Sequence, residues 1–110
     1  MNAKGTHLLI DLYGASGEVL NDAPFIERTA REMADRVGAQ VLEANCHALS
    51  PQGVLLVLTL SQSHISIHTW PEDGYAAVDL FLCAKDFPAG LSISEWIGER
   101  LGAARVEGWV

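Results

Sequence analysis

The chain has little of several features that define large protein classes. Its 110 residues contain no apolar run close to the ~20 residues that a membrane-spanning helix needs. The first residues also lack the basic segment, apolar stretch and small-residue cleavage site of a secretion signal, so we expect a cytoplasmic protein. Basic residues are scarce: 7 Lys and Arg against 14 Asp and Glu give a net charge of −7. This charge would repel phosphate backbones and anionic lipid surfaces, so we expect neither a nucleic acid nor a membrane as partner.

Cysteine and closely spaced metal ligands are also scarce. The two cysteines, Cys46 and Cys83, would pair in an oxidising compartment, but in a cytoplasmic chain we expect two thiols. His64 and His68 are four positions apart along one strand, a span of about 13 Å, which is too far for both to bind one ion. The close pair of ligands typical of zinc sites is missing as well. We therefore predict no metal site.

The pattern of apolar residues predicts a single domain, residues 1–110, because the chain is 49% hydrophobic and has no linker, repeat or low-complexity run. Alternating residues and turn signals predict six strands and two helices in the order β-α-β-β-β-β-α-β. The predicted strands cover residues 6–13, 40–48, 53–61, 64–70, 76–83 and 106–110, and the helices follow Asp22 and Ser92 and end at Gly38 and Gly102.

This order predicts an α+β fold, a two-layer α/β sandwich in which a largely antiparallel sheet carries two helices on one face. The other face of the sheet would then have no cover. Leu55 and Val57 would lie on that face, and leaving them open is costly, so we expect a second copy of the chain to pack there as a homodimer.

The segment Ser63–Glu72, with the sequence SHISIHTWPE, is the most informative part of the chain. Because successive strand residues point to opposite sides, two imidazoles, a hydroxyl and an indole share one face of this strand: His64, Ser66, His68 and Trp70. The other face is apolar and suits the core. The polar face has more reactive chemistry than a structural sheet needs, which predicts an active site there.

The same segment carries a family resemblance. SHISIHTWPE, followed by GYAAVDLF at 74–81 and by Cys83, resembles the S-adenosylmethionine decarboxylases of bacteria and archaea, and a weaker similarity extends over nearly the whole chain. The resemblance implies a self-processing, pyruvoyl-dependent α-decarboxylase of polyamine biosynthesis. Its substrate would be S-adenosylmethionine, and its products would be decarboxylated S-adenosylmethionine and CO2.

The resemblance also implies roles for individual residues. Ser63 would attack the Gln62 carbonyl, form an ester and lose its α-proton to His68, so that the chain splits into residues 1–62 (β chain) and 63–110 (α chain). Residue 63 would become a pyruvoyl group that forms a Schiff base with the substrate amine and withdraws electrons as CO2 leaves. Cys83 would return a proton to the substrate carbon. Neither a metal nor pyridoxal phosphate is implied, and the assembly would be a homodimer of processed αβ units.

For an isolated residue a simpler interpretation is available. A lone histidine such as His68 is most often a hydrogen-bonded sheet residue, and Cys83 alone would be a small buried apolar residue. The motif favours the functional interpretation for both, whereas His64 is predicted to be structural or supporting. A serine hydrolase is a weaker hypothesis, because Ser63 lacks the Gly-x-Ser-x-Gly elbow of those enzymes.

Three positions near the motif depart from the family in ways that bear on cleavage or on the adenine ring. Gln62 replaces the usual glutamate before the nucleophile and leaves the scissile carbonyl in place. Leu49 stands where the family has an aromatic partner for adenine, and Leu55 stands where it has a small polar residue. Trp70 would still offer an aromatic face.

The fourth departure adds a charge. By resemblance Glu72 binds the ribose hydroxyls of the substrate, and Asp73 places a second carboxylate beside it. Two carboxylates suit a guanidinium or ammonium group, although Asp73 also fits an exposed Asp-Gly turn. A decarboxylase of L-arginine or L-ornithine therefore remains an alternative, and so does an uncleaved, non-catalytic paralogue that binds a metabolite or a sister subunit.

Overall fold

The computed structural model describes residues 4–83 and 92–110. Within them the chain forms six strands, three α-helices and one short 3-10 helix. The elements are β1 (Gly5–Tyr13), α1 (Gly17–Leu20), α2 (Ala23–Arg36), β2 (Val41–Ala48), β3 (Val54–Leu60), β4 (His64–Trp70), the 3-10 helix (Pro71–Asp73), β5 (Tyr75–Cys83), α3 (Ile93–Leu101) and β6 (Arg105–Trp109).

The six strands form one sheet in the order β2-β3-β4-β5-β1-β6, and every neighbouring pair is antiparallel. Helix α2 packs on β2, β3 and β4, while α3 packs on β6 and α2. The α+β fold and the antiparallel sheet are therefore confirmed. Each strand lies within one residue of its predicted bounds.

One element was not predicted. No helix was predicted between β1 and the first long helix, but residues Gly17–Leu20 form the single helical turn α1. The Ser16 hydroxyl caps this turn by accepting a hydrogen bond from the Val19 N–H at 3.1 Å. Four residues are too few to show a helical period, so the structure has one α-helix more than the two that were predicted.

The first long helix begins as its capping residues predict. The Asp22 carboxylate accepts a hydrogen bond from the Phe25 N–H at 3.1 Å, and Pro24 lies in the first turn, where its missing N–H costs nothing. Ile26, Ala30 and Met33 are fully buried against the sheet. The apolar stripe of α2 thus covers the centre of the sheet.

The core lies between the helices and one face of the sheet. On β4 this inner face consists of Ile65, Ile67 and Thr69, which are all buried. The alternate residues of β1, β3 and β5 join them in one cluster: Leu8, Ile10, Leu12, Val54, Leu56, Leu58, Leu60, Ala76, Val78, Leu80 and Leu82. Alternation along β4 therefore directs its polar side chains away from the core.

A buried threonine ties the elements together where β4 ends. The Thr69 hydroxyl donates to the Leu20 carbonyl at 2.7 Å and accepts from the Val54 N–H at 2.9 Å. Beside it, the Asn21 side chain accepts a hydrogen bond from the Gly53 N–H at 2.8 Å. Gly53 has a φ of 107°, and a Cβ there would lie 2.9 Å from the Thr69 carbonyl. The turn before β3 is thus held against the end of β4.

Candidate active site

The face of the sheet opposite the helices, called the outer face below, carries the reactive side chains of the motif. On β4 these are His64, which is exposed, and Ser66, His68 and Trp70, which are half-buried. This is the side on which they were predicted. β4 lies in the middle of the sheet, between β3 and β5. Both neighbours therefore contribute side chains to the same surface.

The predicted cleavage site lies at the start of β4. Gln62 and Ser63 belong to the tight turn that joins β3 to β4, closed by a hydrogen bond from the Leu60 N–H to the Ser63 carbonyl at 3.0 Å. Gln62 is exposed and Ser63 is half-buried. His64, the residue after Ser63, pairs with Phe81 on β5, and Cys83 ends β5 two residues further along. We call Gln62, Ser63 and Cys83 the amino-end cluster.

An aromatic ring lines the amino-end cluster. Gly5 pairs with Cys83 across β1 and β5, and a Cβ on Gly5 would lie only 2.5 Å from the Phe81 ring. The absence of a side chain therefore lets the ring lie over Gly5. The His64 imidazole stacks on Phe81, with centroids 5.8 Å apart and planes inclined by 8°. His64 thus packs against an aromatic ring two residues from Cys83.

The other predicted residues gather at the far end of β4. His68 pairs with Leu55 on β3, and the Trp70 ring stacks on the His68 imidazole with centroids 3.8 Å apart. Leu49 lies near Pro71, the residue after Trp70. A Cβ atom built on Gly53 would lie within 3.7 Å of both the Leu49 Cδ1 atom and the Pro71 Cδ atom. Glu72 and Asp73 follow in the exposed 3-10 helix. The carboxy-end cluster is this set: Leu49, Leu55, His68, Trp70, Glu72 and Asp73.

Within one copy of the chain the two clusters stay apart. Ser63 and His68 are separated by five residues of extended chain, which span about 16 Å at the usual strand rise. An imidazole reaches a proton only at hydrogen-bond distance, about 3 Å. A single copy therefore does not bring His68 to the scissile bond.

Polar contacts occupy the middle of the outer face. The Ser66 hydroxyl donates to the Asp79 carboxylate at 3.3 Å, and the His7 Nε2 atom lies 3.5 Å from the other Asp79 oxygen. Val57, Leu9 and Trp109 lie in the same row across the strands, and each exposes between 38% and 47% of its surface. The row therefore combines a hydrogen-bonded carboxylate with three open apolar side chains.

Sequence reasoning missed a hydrogen-bonded pair beside the carboxy-end cluster. The Tyr75 hydroxyl donates to the Asp11 carboxylate at 2.5 Å. This hydrogen bond, followed by burial, raises the pKa of Tyr75 to about 12, so the hydroxyl stays a donor at neutral pH. An aspartate on the outer side of β1 was visible in the alternation, but no local pattern pointed to its partner.

The second cysteine lies away from this site. Cys46 is on the helix side of β2, where its thiol contacts the Ala23 carbonyl at 3.8 Å. Burial, with a smaller contribution from Glu27, raises the pKa of Cys46. The thiol borders a cleft of about 450 Å³ between α2 and β2, which Arg28 and Arg31 also line. Neither the thiol nor the cleft reaches the outer face.

Two further findings concern other kinds of site. In residues 4–83 and 92–110, no three histidine, cysteine or acidic side chains are grouped closely enough to hold a metal ion. None of the helices in the same part of the chain is long and apolar enough to cross a membrane.

Comparisons with known proteins agree on one family. Residues 6–108 match the family model described as S-adenosylmethionine decarboxylase. An S-adenosylmethionine decarboxylase proenzyme of Clostridium kluyveri is 51% identical over 83 residues, which cover 76% of this chain and 66% of the relative, just under two thirds of its length. Its counterpart in Clostridium tetani is 44% identical over 106 residues, which cover 96% of this chain and 83% of the relative.

A solved structure is similar as well. The crystal structure of the adenosylmethionine decarboxylase from Aquifex aeolicus matches with a TM-score of 0.84 and 28% sequence identity. The match covers 99% of this chain and 89% of that one. The similarity therefore extends over the whole fold, including both ends of β4.

Proposed function

The chain belongs to the S-adenosylmethionine decarboxylase family, and we propose that it is a self-processing, pyruvoyl-dependent decarboxylase of S-adenosylmethionine. The products would be decarboxylated S-adenosylmethionine, a precursor in polyamine biosynthesis, and CO2. One observation carries this proposal: the turn at Gln62 and Ser63 leads directly into His64, which pairs with Phe81 on the next strand, two residues from Cys83. Relatives that are named proenzymes support a processing step.

In this proposal the single domain, residues 1–110, is cut between Gln62 and Ser63. The fragments 1–62 and 63–110 would stay together, because the cut separates neither β3 from β4 nor β1 from β5. Each of these pairs joins one strand from each fragment. Cleavage would therefore free a new amino terminus without dismantling the sheet.

The residues around Ser63 fit the pyruvoyl group that would replace it. Ser63 is half-buried in a tight turn, and the next residue, His64, stacks on the Phe81 ring. When formed, the pyruvoyl carbonyl supplies the electron withdrawal that decarboxylation needs, so no metal or pyridoxal phosphate is invoked. Cys83 would hold the proton that the substrate carbon receives, and the Phe81 ring would limit the access of water to that carbon.

We propose a homodimer as the state in which the site is complete. A two-fold axis lying between two stacked sheets, and crossing β4 midway between Ser63 and His68, would reverse β4 and set the partner's His68 over Ser63. Stacked sheets pack about 10 Å apart, within reach of facing side chains. The open side chains of Val57, Leu9 and Trp109 lie in the Ser66 row, where such a dimer would cover them.

Denaturing mass spectrometry tests the processing step. The purified protein should give two fragments whose masses place the cut before residue 63, with the pyruvoyl mass on the second fragment. Ser63→Ala should stay intact and inactive, whereas the control Ser61→Ala, in the same turn, should cleave normally. Cys83→Ala should cleave but release wrongly protonated products. An intact wild-type chain of 11.9 kDa after long incubation would instead support a non-catalytic paralogue that binds a metabolite or a sister subunit.

Mixing two inactive variants tests the shared site. Ser63→Ala and His68→Ala should each fail to cleave alone. In a mixed dimer the Ser63→Ala copy supplies His68 to the intact Ser63 of the other copy, so the His68→Ala chain should cleave. Failure of the mixture, under conditions where exchange of subunits is verified, would contradict the two-fold arrangement.

A second substrate class is favoured by the side chains of the carboxy-end cluster. Leu55 faces His68, and one face of Trp70 is already taken by the His68 ring, so the aromatic surface for an adenine is reduced. Glu72 and Asp73 expose two carboxylates that suit a guanidinium or ammonium group. CO2 release from S-adenosylmethionine, L-arginine and L-ornithine should be measured in parallel. Turnover of a basic amino acid alone would replace the first substrate.

A further inference from the structure

Four side chains form a row across the outer face, where β4 ends. Trp70 pairs with Tyr75, Tyr75 with Tyr13, and Tyr13 with Arg105, so the row crosses four neighbouring strands. Ring centroids are 5.2 Å apart for Trp70 and Tyr75 and 5.4 Å apart for Tyr75 and Tyr13. The Arg105 guanidinium lies 4.3 Å from the Tyr13 ring centroid. Each ring in the middle of this row is in contact on both sides.

The adjacent row explains how the tyrosine reaches an aspartate. Ala77 pairs with His68 on one side and with Asp11 on the other. The Ala77 side chain is a single methyl group, and the Tyr75 hydroxyl from the neighbouring row reaches the Asp11 carboxylate. The hydrogen bond is charge-assisted, the stronger kind for holding a side chain in one orientation.

The contacts continue from the tyrosine to the histidine. Tyr75 contacts Trp70, and Trp70 stacks on the His68 imidazole with planes inclined by 22°. A stacked imidazole has lost much of its freedom to rotate, as long as the ring beneath it is itself held. We propose that the Tyr75–Asp11 hydrogen bond positions the His68 imidazole, through Trp70, for its role in self-cleavage. Tyr75 and Asp11 are positioning residues here, and the inference rests on the proposed function.

The step that would depend on this position is the second half of self-cleavage. In the first half, the acyl group of Gln62 moves from the Ser63 nitrogen to the Ser63 Oγ and forms an ester. His68 then takes the Ser63 α-proton, the Cβ–Oγ bond breaks, and Gln62 leaves as a carboxylate. Water replaces the nitrogen of the remaining dehydroalanine, which is released as ammonia. A misplaced imidazole would slow the proton transfer but leave the ester able to form.

The experiment follows the ester and the cleaved chain separately. Tyr75→Phe and Asp11→Asn should slow cleavage by roughly ten- to a hundredfold, the usual cost of misplacing a general base. Both should also accumulate the ester. Hydroxylamine would detect it by releasing a Gln62 hydroxamate and a free Ser63 amine. Asp11→Glu keeps the charged carboxylate acceptor, which Asp11→Asn replaces by a neutral amide oxygen, and should recover most of the rate. Asp35→Asn, an equal charge change on the exposed side of α2, should not alter the rate.

Each outcome is decisive once rates are compared between folded proteins, as checked by near-ultraviolet circular dichroism. If Tyr75→Phe and Asp11→Asn both cleave at the wild-type rate and accumulate no hydroxylamine-sensitive ester, the inference is overturned and the proposed function stays intact. If Tyr75→Phe fails to fold, the comparison of Asp11→Asn with Asp11→Glu decides: equal rates would overturn the inference. A wild-type chain that does not cleave would refute the proposed function instead.

Discussion

Replacing Thr69 by valine should destabilise the protein by removing two buried hydrogen bonds while nearly preserving shape. Thr69 is 1% exposed, and its hydroxyl bonds the Leu20 carbonyl at 2.7 Å and the Val54 N–H at 2.9 Å. Both partners belong to fully buried residues. A buried polar group left without a partner costs about 1–3 kcal/mol, so two such groups should lower the free energy of unfolding by about 2–4 kcal/mol after some relaxation.

Urea unfolding of the Ser63→Ala protein measures this loss on one unbroken chain, at a fixed protein concentration because a dimer would make stability depend on it. With a slope of about 1–3 kcal/mol per molar urea, the midpoint should fall by roughly 2 M. Thr59→Val is the matched control: Thr59 is exposed on β3, so its replacement should change stability by no more than about 0.5 kcal/mol. Equal midpoints for the two variants would refute the assignment of Thr69 as the tie between α1, β3 and β4.

Three other predictions use single side chains. Thr29→Val should raise the free energy of unfolding by about 1 kcal/mol, because the Thr29 hydroxyl is buried with no hydrogen-bond partner in the described residues; a lower urea midpoint would contradict this. Tyr75 should ionise near pH 12 in absorbance titrations, and Asp11→Asn should bring the pKa of Tyr75 back toward 10. Because this pKa is higher in the folded than in the unfolded protein, the stability that the hydrogen bond contributes is complete below about pH 10. It is lost as the pH rises through 12. Cys46 should react with iodoacetamide at pH 8 more slowly in the folded Cys83→Ala protein than in urea, since burial raises its pKa; equal rates would contradict it.

Local patterns were sufficient for the six strands, for the two long helices and for the face on which the motif lies. Strict alternation along β4 separates Ile65 and Ile67 from the polar side chains, and one buried face is enough to specify the register of a strand. The Asp22 cap defined the start of α2 in the same local way. Single-turn α1 was missed because four residues have no measurable period.

Pairings between distant strands were beyond these patterns. Tyr75 and Asp11 are far apart in sequence, and they meet only because β1 lies next to β5 in the sheet. The same applies to Gly5 and Phe81: the need for glycine follows from a ring on another strand. Alternation tells which side chains share a face but not which strands are neighbours. The family resemblance predicted roles for individual residues, whereas the contacts around those residues could be found only from the folded structure.

The two faces of the sheet separate stability from chemistry, and this separation bears on the family departures at Leu49 and Leu55. Both leucines are half-buried, and neither belongs to the core cluster that packs between the sheet and the helices. Leu55 instead faces His68, and Leu49 lies beside the turn that leads to Glu72. The core therefore has no need of leucine at either position. Because the core does not require these two leucines, substrate comparison rather than folding is the informative measurement for them.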